Sequence, residues 1–146
     1  MPLTLGIALA FSAVLGSSSA QVAQQPTMPQ AQTVQQYVQT YFAGEPVLAA
    51  IAGCESHYQQ YGKDGNVLKN SASSAVGLFQ IMSSVHATFA SDKLGLDINT
   101  MQGNMAYAKY LYETQGTAPW KASEACWGKT AAAQALNAST TLAIAK

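Results

Sequence analysis

The sequence predicts a mainly α-helical domain with one small β-hairpin. Apolar residues recur at helical spacing through most of residues 34–129, and glycines stand where several of these periodic stretches stop. One Asp64-Gly65 pair, a strong hairpin-turn signal, interrupts the helical pattern. With 146 residues in all, the chain is long enough for one domain with one hydrophobic core.

Two short helices are expected at the start of this domain. The first has its apolar side chains at helical spacing and stops at Gly44. Pro46 suits the first turn of the second helix, which runs to about Ser56. The periodic residues of the first helix are Val34, Tyr37, Val38, Tyr41 and Phe42.

The hairpin is expected over residues 59–68, because the residues flanking Asp64-Gly65 could pair as short strands. Helices are then predicted to resume near Ser74 and again after Ser83, the second closing at Gly95. The hairpin would therefore separate the second helix from the third.

A longer helix is predicted to begin after Asn99 and to end before Gly116, with Gln102 completing a variant of the capping box. Residues 130–146 are rich in Ala and Thr with few large apolar side chains, which predicts a flexible tail or frayed helix. The apolar stripe of the long helix consists of Met101, Met105, Ala108, Leu111 and Tyr112.

The first 20 residues predict an export signal. Residues 3–16 form an apolar run that is too short to span a bilayer comfortably, and small residues follow at positions 18–20, where cleavage is determined. No cationic side chain precedes the run, so an uncleaved membrane anchor remains the alternative. The expected location is secreted or in the cell envelope, tethered to the membrane if the leader is kept.

Residues 21–33 predict a disordered linker, because they hold several Gln and two Pro but no aromatic residue. Charge is scarce along the whole chain, with seven Lys, no Arg and seven acidic residues giving a formal net charge of zero. Nothing therefore attracts the protein electrostatically to nucleic acid, and a nucleic-acid partner is not expected.

Cys54 and Cys126 are expected to form a disulfide, since an even number of cysteines in an exported protein usually pairs. The alternatives are two free thiols, a thiol nucleophile, or a zinc site that also uses His57 and His86. Cys54 and His57 lack a second pair of ligands at short spacing. A metal or another cofactor is therefore not expected.

Glu55 is the candidate catalytic residue. It ends an apolar helical run over residues 47–52 and has no Lys within seven positions on either side. Desolvation without a nearby cation raises the pKa of a carboxyl group, which suits a general acid. The alternative is a surface Glu on a half-exposed helix.

Three motifs follow one another along the chain in a specific order. A helix closes with Cys54-Glu55-Ser56, residues 74–82 (SAVGLFQIM) follow the hairpin, and a later helix carries Asn104 and three tyrosines. This order resembles the soluble lytic transglycosylase domain of the lysozyme-like superfamily, with its Glu-Ser pair, Gly-Leu-Met-Gln-like turn and later Asn. The resemblance implies a lysozyme-like, monomeric enzyme that acts on peptidoglycan glycan strands.

The resemblance implies that Glu55 cleaves the β-1,4 bond between N-acetylmuramic acid and N-acetylglucosamine. The acid would protonate the glycosidic oxygen and then take the proton of the muramyl 6-hydroxyl, leaving a 1,6-anhydro ring. Ser56, Gln80, Asn104 and Tyr107 match positions beside the reaction centre or along the glycan groove. Their alternatives are a helix-end Ser, a partly exposed helix Gln, a surface Asn and a core Tyr.

The end of the domain departs from the family pattern, which has an Ala-Tyr-Asn-Gly-like motif there. This chain has the stretches GTAPW and SEACW over residues 116–120 and 123–127 instead. Trp120 is a candidate for sugar binding, because an indole offers an apolar face, and a core position is its alternative.

A second carboxylate would favour hydrolysis over transglycosylation. Asp64 is available, but its place in the hairpin turn already explains it, and Asp92 and Asp97 are typical helix-end residues. A lytic transglycosylase is therefore the predicted function. A hydrolytic muramidase and a non-catalytic glycan-binding module on the same fold are the alternatives.

Overall fold

The computed structural model describes the backbone of residues 32–144 and the side chains of residues 32–140. The predictions for the leader, 1–20, and for residues 21–31 of the linker lie outside these residues. In the described part no helix is long and apolar enough to cross a bilayer. Its elements are α1 (Val34–Tyr41), α2 (Pro46–Ser56), β1 (Ala75–Val76), β2 (Ile81–Met82), α3 (Ser83–Leu94), α4 (Met101–Gln115), a 3₁₀ segment (Ala118–Ser123), α5 (Glu124–Trp127) and α6 (Ala131–Ile144).

The first two helices confirm the sequence prediction, and the fold is mainly α as expected. Thr33 caps α1 by a capping box, in which the Gln36 backbone N–H donates to Thr33 Oγ1 and the Thr33 N–H donates to Gln36 Oε1. Pro46 occupies the first turn of α2, where a missing N–H costs nothing.

Helix α2 is the centre of the core. Leu48, Ile51 and Ala52 are fully buried, and α2 packs against α1, α5, α6 and the 3₁₀ segment. A helix that is apolar on nearly all sides is stable only where other elements cover it. Glu55 lies in the last turn of this helix, so the central helix of the fold and not an outer one carries its carboxyl group.

The predicted hairpin is present only in part. The chain does reverse around Asp64, with Gly65 at φ +77° and the Gly62 N–H donating to the Asn66 carbonyl at 2.8 Å. Pairing of the flanking residues is limited to one bridge, Tyr61 to Val67. The two-stranded antiparallel sheet of the described residues lies later, with Ala75 opposite Met82 and Val76 opposite Ile81.

The helix predicted near Ser74 is wrong, because residues 74–82 form β1, a reverse turn and β2. Gly77 and Gln80 have φ +71° and +48°, which a helix does not allow. A short apolar run has no periodicity that separates a buried strand from a buried helix, so the sequence left this choice to tertiary contacts.

Helices α3 and α4 end at glycines as predicted. Gly95 has the left-handed helical conformation, with φ +65° and ψ +26°. Gly116 has φ +63° and ψ -140°, a positive-φ conformation that glycine adopts far more easily than other residues. The start of α4 differs by one residue from the expectation, since Thr100 and not Asn99 accepts the capping hydrogen bond, from Gly103 N–H at 3.1 Å.

The segment predicted as a flexible tail or frayed helix forms the helix α6, Ala131–Ile144. Its Ala133 is buried in the main core, and Leu136 packs against that core. Alanine has the highest helix propensity, and its small side chain lets α6 lie directly on α2. The core therefore extends past the expected boundary after residue 129.

Candidate active site

Glu55 is a partly buried carboxyl group with one hydrogen-bond partner. The hydroxyl of Ser123 donates to Glu55 Oε1 at 2.6 Å. Among the described residues Oε2 has no protein partner, and none of their ion pairs involves Glu55. The carboxyl group therefore has a neutral surrounding and one free oxygen.

Two opposing effects act on the pKa of Glu55. Burial raises the pKa, because it penalises the charged form, and the hydrogen bond from Ser123 lowers it. Burial is the larger effect, so the pKa of this carboxyl group lies above its ordinary value. A proton held more tightly than in water is what a general acid needs near neutral pH.

The predicted disulfide between Cys54 and Cys126 is confirmed, with an S–S distance of 1.99 Å and a Cα–Cα distance of 6.0 Å. Because both sulfur atoms are in this bond, neither cysteine is a thiol nucleophile or a zinc ligand. A disulfide is compatible with an extracytoplasmic location. It also joins the residue before Glu55 to the segment that carries Ser123.

Ser56 does not face a groove, contrary to the predicted substrate contact. It is buried, and its hydroxyl donates to the Leu78 carbonyl at 2.8 Å while accepting from the Gln59 N–H at 3.1 Å. Leu78 belongs to the reverse turn of residues 77–80, which we call the 77–80 turn. Ser56 thus fixes this turn to the end of α2, beside Glu55.

Asn104 also supports the 77–80 turn, and its side chain is fully buried. The amide group accepts from the Phe79 N–H at 2.9 Å and donates to the carbonyls of Val76 and Ile98 at 3.1 and 2.8 Å. These bonds engage both ends of the amide with the backbone, so the predicted contact with a glycan is corrected to a supporting role.

Trp120 and Tyr107 are core residues, which was the alternative for each. Trp120 is 4% exposed, and its Nε1–H donates to the Phe79 carbonyl at 3.0 Å. Tyr107 is 1% exposed, and its hydroxyl lies 3.0 Å from His86 Nδ1. Burial lowers the pKa of His86, which favours the neutral ring in this contact.

Gln80 is the predicted binding residue that the fold leaves partly exposed. Its Nε2 donates to the Gly77 carbonyl at 2.9 Å across the 77–80 turn. With Nε2 held in this way, the amide orientation is fixed and Gln80 stays a candidate for contact with a ligand.

Two residues of the site were missed from the sequence. Gln60 is buried and accepts from the Leu78 N–H at 2.9 Å, while its Nε2 donates to the Asn99 carbonyl at 2.9 Å. No local pattern marks Gln60, because its partners are distant in sequence. Ser123 could have been found, since the predicted disulfide brings residue 126 next to residue 54.

The other six acidic side chains of the chain each have a polar partner, and two of them share one lysine. Asp64, the candidate second carboxylate, accepts from the backbone and side chain of Asn66 and acts as a turn residue, as predicted. The remaining pairs are Glu45 and Glu113 with Lys109, Glu124 with Lys121, Asp92 with Ser91, and Asp97 with Asn99.

The site thus presents one partly buried acid, Glu55, and the next residue, Ser56, bonds to a turn that Gln60 and Asn104 also hold in place. Such a carboxyl group can release a proton and, once ionised, take one up. Comparisons with protein-family models, curated proteins and solved structures gave no match for this chain. The family resemblance therefore rests on the order of the motifs in the sequence.

Proposed function

We propose that this chain is a peptidoglycan-cleaving lytic transglycosylase with a lysozyme-like fold. Its substrate is the β-1,4 bond between N-acetylmuramic acid and N-acetylglucosamine, and its product carries a 1,6-anhydromuramyl end. The observation that carries this proposal is Glu55, a carboxyl group with a raised pKa, a neutral partner and a free oxygen. The disulfide suits an enzyme that meets peptidoglycan outside the cytoplasm.

The reaction needs one carboxyl group in two states. Protonated Glu55 gives its proton to the glycosidic oxygen as the bond from that oxygen to the anomeric carbon breaks. The resulting carboxylate then removes the proton of the muramyl 6-hydroxyl, and this oxygen bonds to the anomeric carbon. No water is consumed, and Glu55 ends protonated as it began.

The partners of the other carboxylates favour transglycosylation over hydrolysis. Glycosidases that hydrolyse commonly use two carboxyl groups about 5 to 9.5 Å apart. Asp64 is bonded to Asn66 through both carboxylate oxygens, and this pairing lowers the pKa of Asp64. A lowered pKa and a turn role make Asp64 a poor partner for a water nucleophile.

Digestion of purified peptidoglycan by the full chain, with mass analysis of the products, tests the function. We expect muropeptides with an anhydro end, which lack the elements of water that a hydrolase adds. Products with water added would indicate the hydrolytic muramidase, and binding without digestion would indicate a glycan-binding module.

Substitution Glu55→Gln should reduce turnover by at least about 100-fold, because an amide cannot act as the acid or the base. Glu113→Gln is the matched control, since Glu113 is an exposed Glu paired with Lys109. Undiminished turnover in Glu55→Gln, with the fold verified by circular dichroism, would remove Glu55 from the mechanism.

A further inference from the structure

The hydroxyl of Ser123 lies between two acceptors. Ser123 Oγ is 2.6 Å from Glu55 Oε1 and 3.2 Å from the Trp120 carbonyl oxygen. A hydroxyl group has one proton to donate, and a carboxylate is a stronger acceptor than a carbonyl. The bond to Glu55 therefore becomes stronger when that group ionises.

The position of Ser123 does not depend on Glu55. Ser123 ends the 3₁₀ segment, whose Trp120 is held by two indole hydrogen bonds: its own Nε1–H donates to Phe79, and the Nε1–H of Trp127 donates to the Trp120 carbonyl at 2.9 Å. Three residues after Ser123 the disulfide fastens the chain to Cys54. The hydroxyl is thus held in place by its own segment.

We propose that Ser123 is a positioning residue for Glu55, fixing Oε1 so that Oε2 carries the proton that leaves and returns. This role rests on the proposed function. The proton passes from Oε2 to the glycosidic oxygen, and Oε2 later receives one from the 6-hydroxyl. Ser123 keeps its own proton throughout, and its hydrogen bond stabilises the carboxylate that exists between the two transfers.

Loss of the Ser123 hydroxyl leaves the effect of burial on Glu55 unopposed. We therefore expect Ser123→Ala to raise the pKa of Glu55 further. A less stable carboxylate slows the step in which it forms, so kcat should fall about tenfold with little change in KM. Ser123→Thr keeps a hydroxyl and should restore both properties.

Titration of the Glu carboxyl carbons by ¹³C NMR in the full chain measures this pKa directly. The Glu55 signal is assigned by its disappearance in Glu55→Gln. We expect a higher pKa in Ser123→Ala and a pKa near the wild-type value in Ser123→Thr. The control is Ser91→Ala, which removes a similar contact to Asp92, at 2.7 Å, from an exposed carboxylate and should leave Glu55 unchanged.

An unchanged pKa of Glu55 in Ser123→Ala, with the fold intact by circular dichroism, would overturn the positioning role. The pH profile of activity supplies a second readout, because a general acid with a higher pKa loses its proton at higher pH. The alkaline limb of kcat/KM should move upward in Ser123→Ala, and an unmoved limb would also refute the role.

The two measurements separate this inference from the function itself. If Ser123→Ala raises the pKa but the wild-type chain digests no peptidoglycan, the contact stands as a structural fact and both the proposed function and the positioning role fail. If the wild-type chain digests peptidoglycan and Ser123→Ala changes neither pKa nor kcat, the positioning role alone fails.

Discussion

Glu55 is a carboxyl group whose partial burial costs stability when the group is charged. Its carboxyl group is held where burial disfavours the charged form, and its one protein partner compensates only in part. A protein selected for stability alone would place a neutral or apolar residue at this point of α2. Residues of this kind, which break the local rule of pairing a buried charge, mark functional sites more often than core defects.

The raised pKa of Glu55 predicts how stability depends on pH. The native state binds the Glu55 proton more tightly than the unfolded state does, because its carboxyl pKa is raised. The free energy of unfolding therefore falls as the pH rises from the ordinary pKa, 4.5, through the native pKa. Glu55→Gln removes this penalty. We expect the variant to be more stable than the wild type at pH 7 and similar to it well below pH 4.5.

Urea unfolding of both proteins at pH 7 and at low pH measures this difference. Glu113→Gln serves as the control for a change of net charge, because the exposed Glu113 side chain carries no burial penalty. A Glu55→Gln variant that is less stable than the wild type at pH 7 would mean that the carboxylate is favourably solvated or paired in the native state.

The sequence identified the right residue types near the site but not the directions of their side chains. A buried amide uses the same atoms to bond a backbone turn or a ligand, and the sequence does not show which partner it has. Asn104 and Ser56 therefore matched the motif pattern while the fold uses them on the 77–80 turn. The raised pKa of Glu55 was predictable, because the apolar run before it and the lack of a nearby cation are local features of the sequence.

Asn104 and Gln80 should respond differently to truncation. Asn104→Ala leaves the Phe79 N–H without its partner in a buried place, which costs roughly 3 kcal/mol of unfolding free energy. Gln80→Ala should cost no more than about 1 kcal/mol, because the Gly77 carbonyl keeps its bond from the Gln80 backbone N–H. Urea unfolding measures both values.

Turnover per folded molecule should also be measured for Gln80→Ala and Asn104→Ala. If Gln80 contacts substrate, its truncation lowers turnover more than its small loss of stability explains. Wild-type stability in Asn104→Ala would contradict the supporting role that the structure gives to Asn104.

At the scale of elements, helices with strong local signals were predictable and the short strands were not. Threonine caps begin α1 and α4, Pro46 begins α2, and glycines follow the last residues of α3 and α4. Strands β1 and β2 have two residues each and depend on contacts from elsewhere, such as the bridge from Lys69 to Val76. Local propensity cannot encode a pairing that remote residues decide.

The 77–80 turn requires glycine at position 77 for two reasons. Its φ of +71° disfavours any residue with a Cβ, and an added Cβ would lie 2.5 Å from Gln60 Oε1 and 2.6 Å from Asn104 Nδ2. Gly77→Ala should therefore destabilise the fold by about 3 kcal/mol and displace the two amides that hold the turn.

Gly65→Ala is a matched control for this substitution. Gly65 has φ +77° and nothing within 4 Å of an added Cβ, so it reports backbone strain without crowding. We expect a cost of about 1 kcal/mol there. Equal losses in thermal or urea unfolding for Gly77→Ala and Gly65→Ala would show that crowding at the turn is unimportant.

At the scale of the whole molecule, the candidate site is assembled from three distant parts of the chain. Glu55 comes from α2, the 77–80 turn from the sheet, and Ser123 from the 3₁₀ segment. The disulfide closes the longest of the loops between these parts, with a sequence separation of 72 residues. A cross-link of this span restricts the unfolded chain more than it changes the native contacts.

Reduction of the disulfide should therefore lower the free energy of unfolding by up to about 4 kcal/mol, as expected for closing a long loop. Urea unfolding with and without a reducing agent, under otherwise equal conditions, measures the loss.

Because Ser123 and Glu55 lie close in sequence to the two cysteines, turnover should also fall in the reduced protein without urea, where the chain remains folded. The double variant Cys54→Ser/Cys126→Ser is the control, since it should show the same loss and no further response to the reducing agent. An unchanged unfolding midpoint after verified reduction would contradict the stabilising role of the cross-link. Unchanged turnover would mean that noncovalent packing of α2 against α5 already fixes the site.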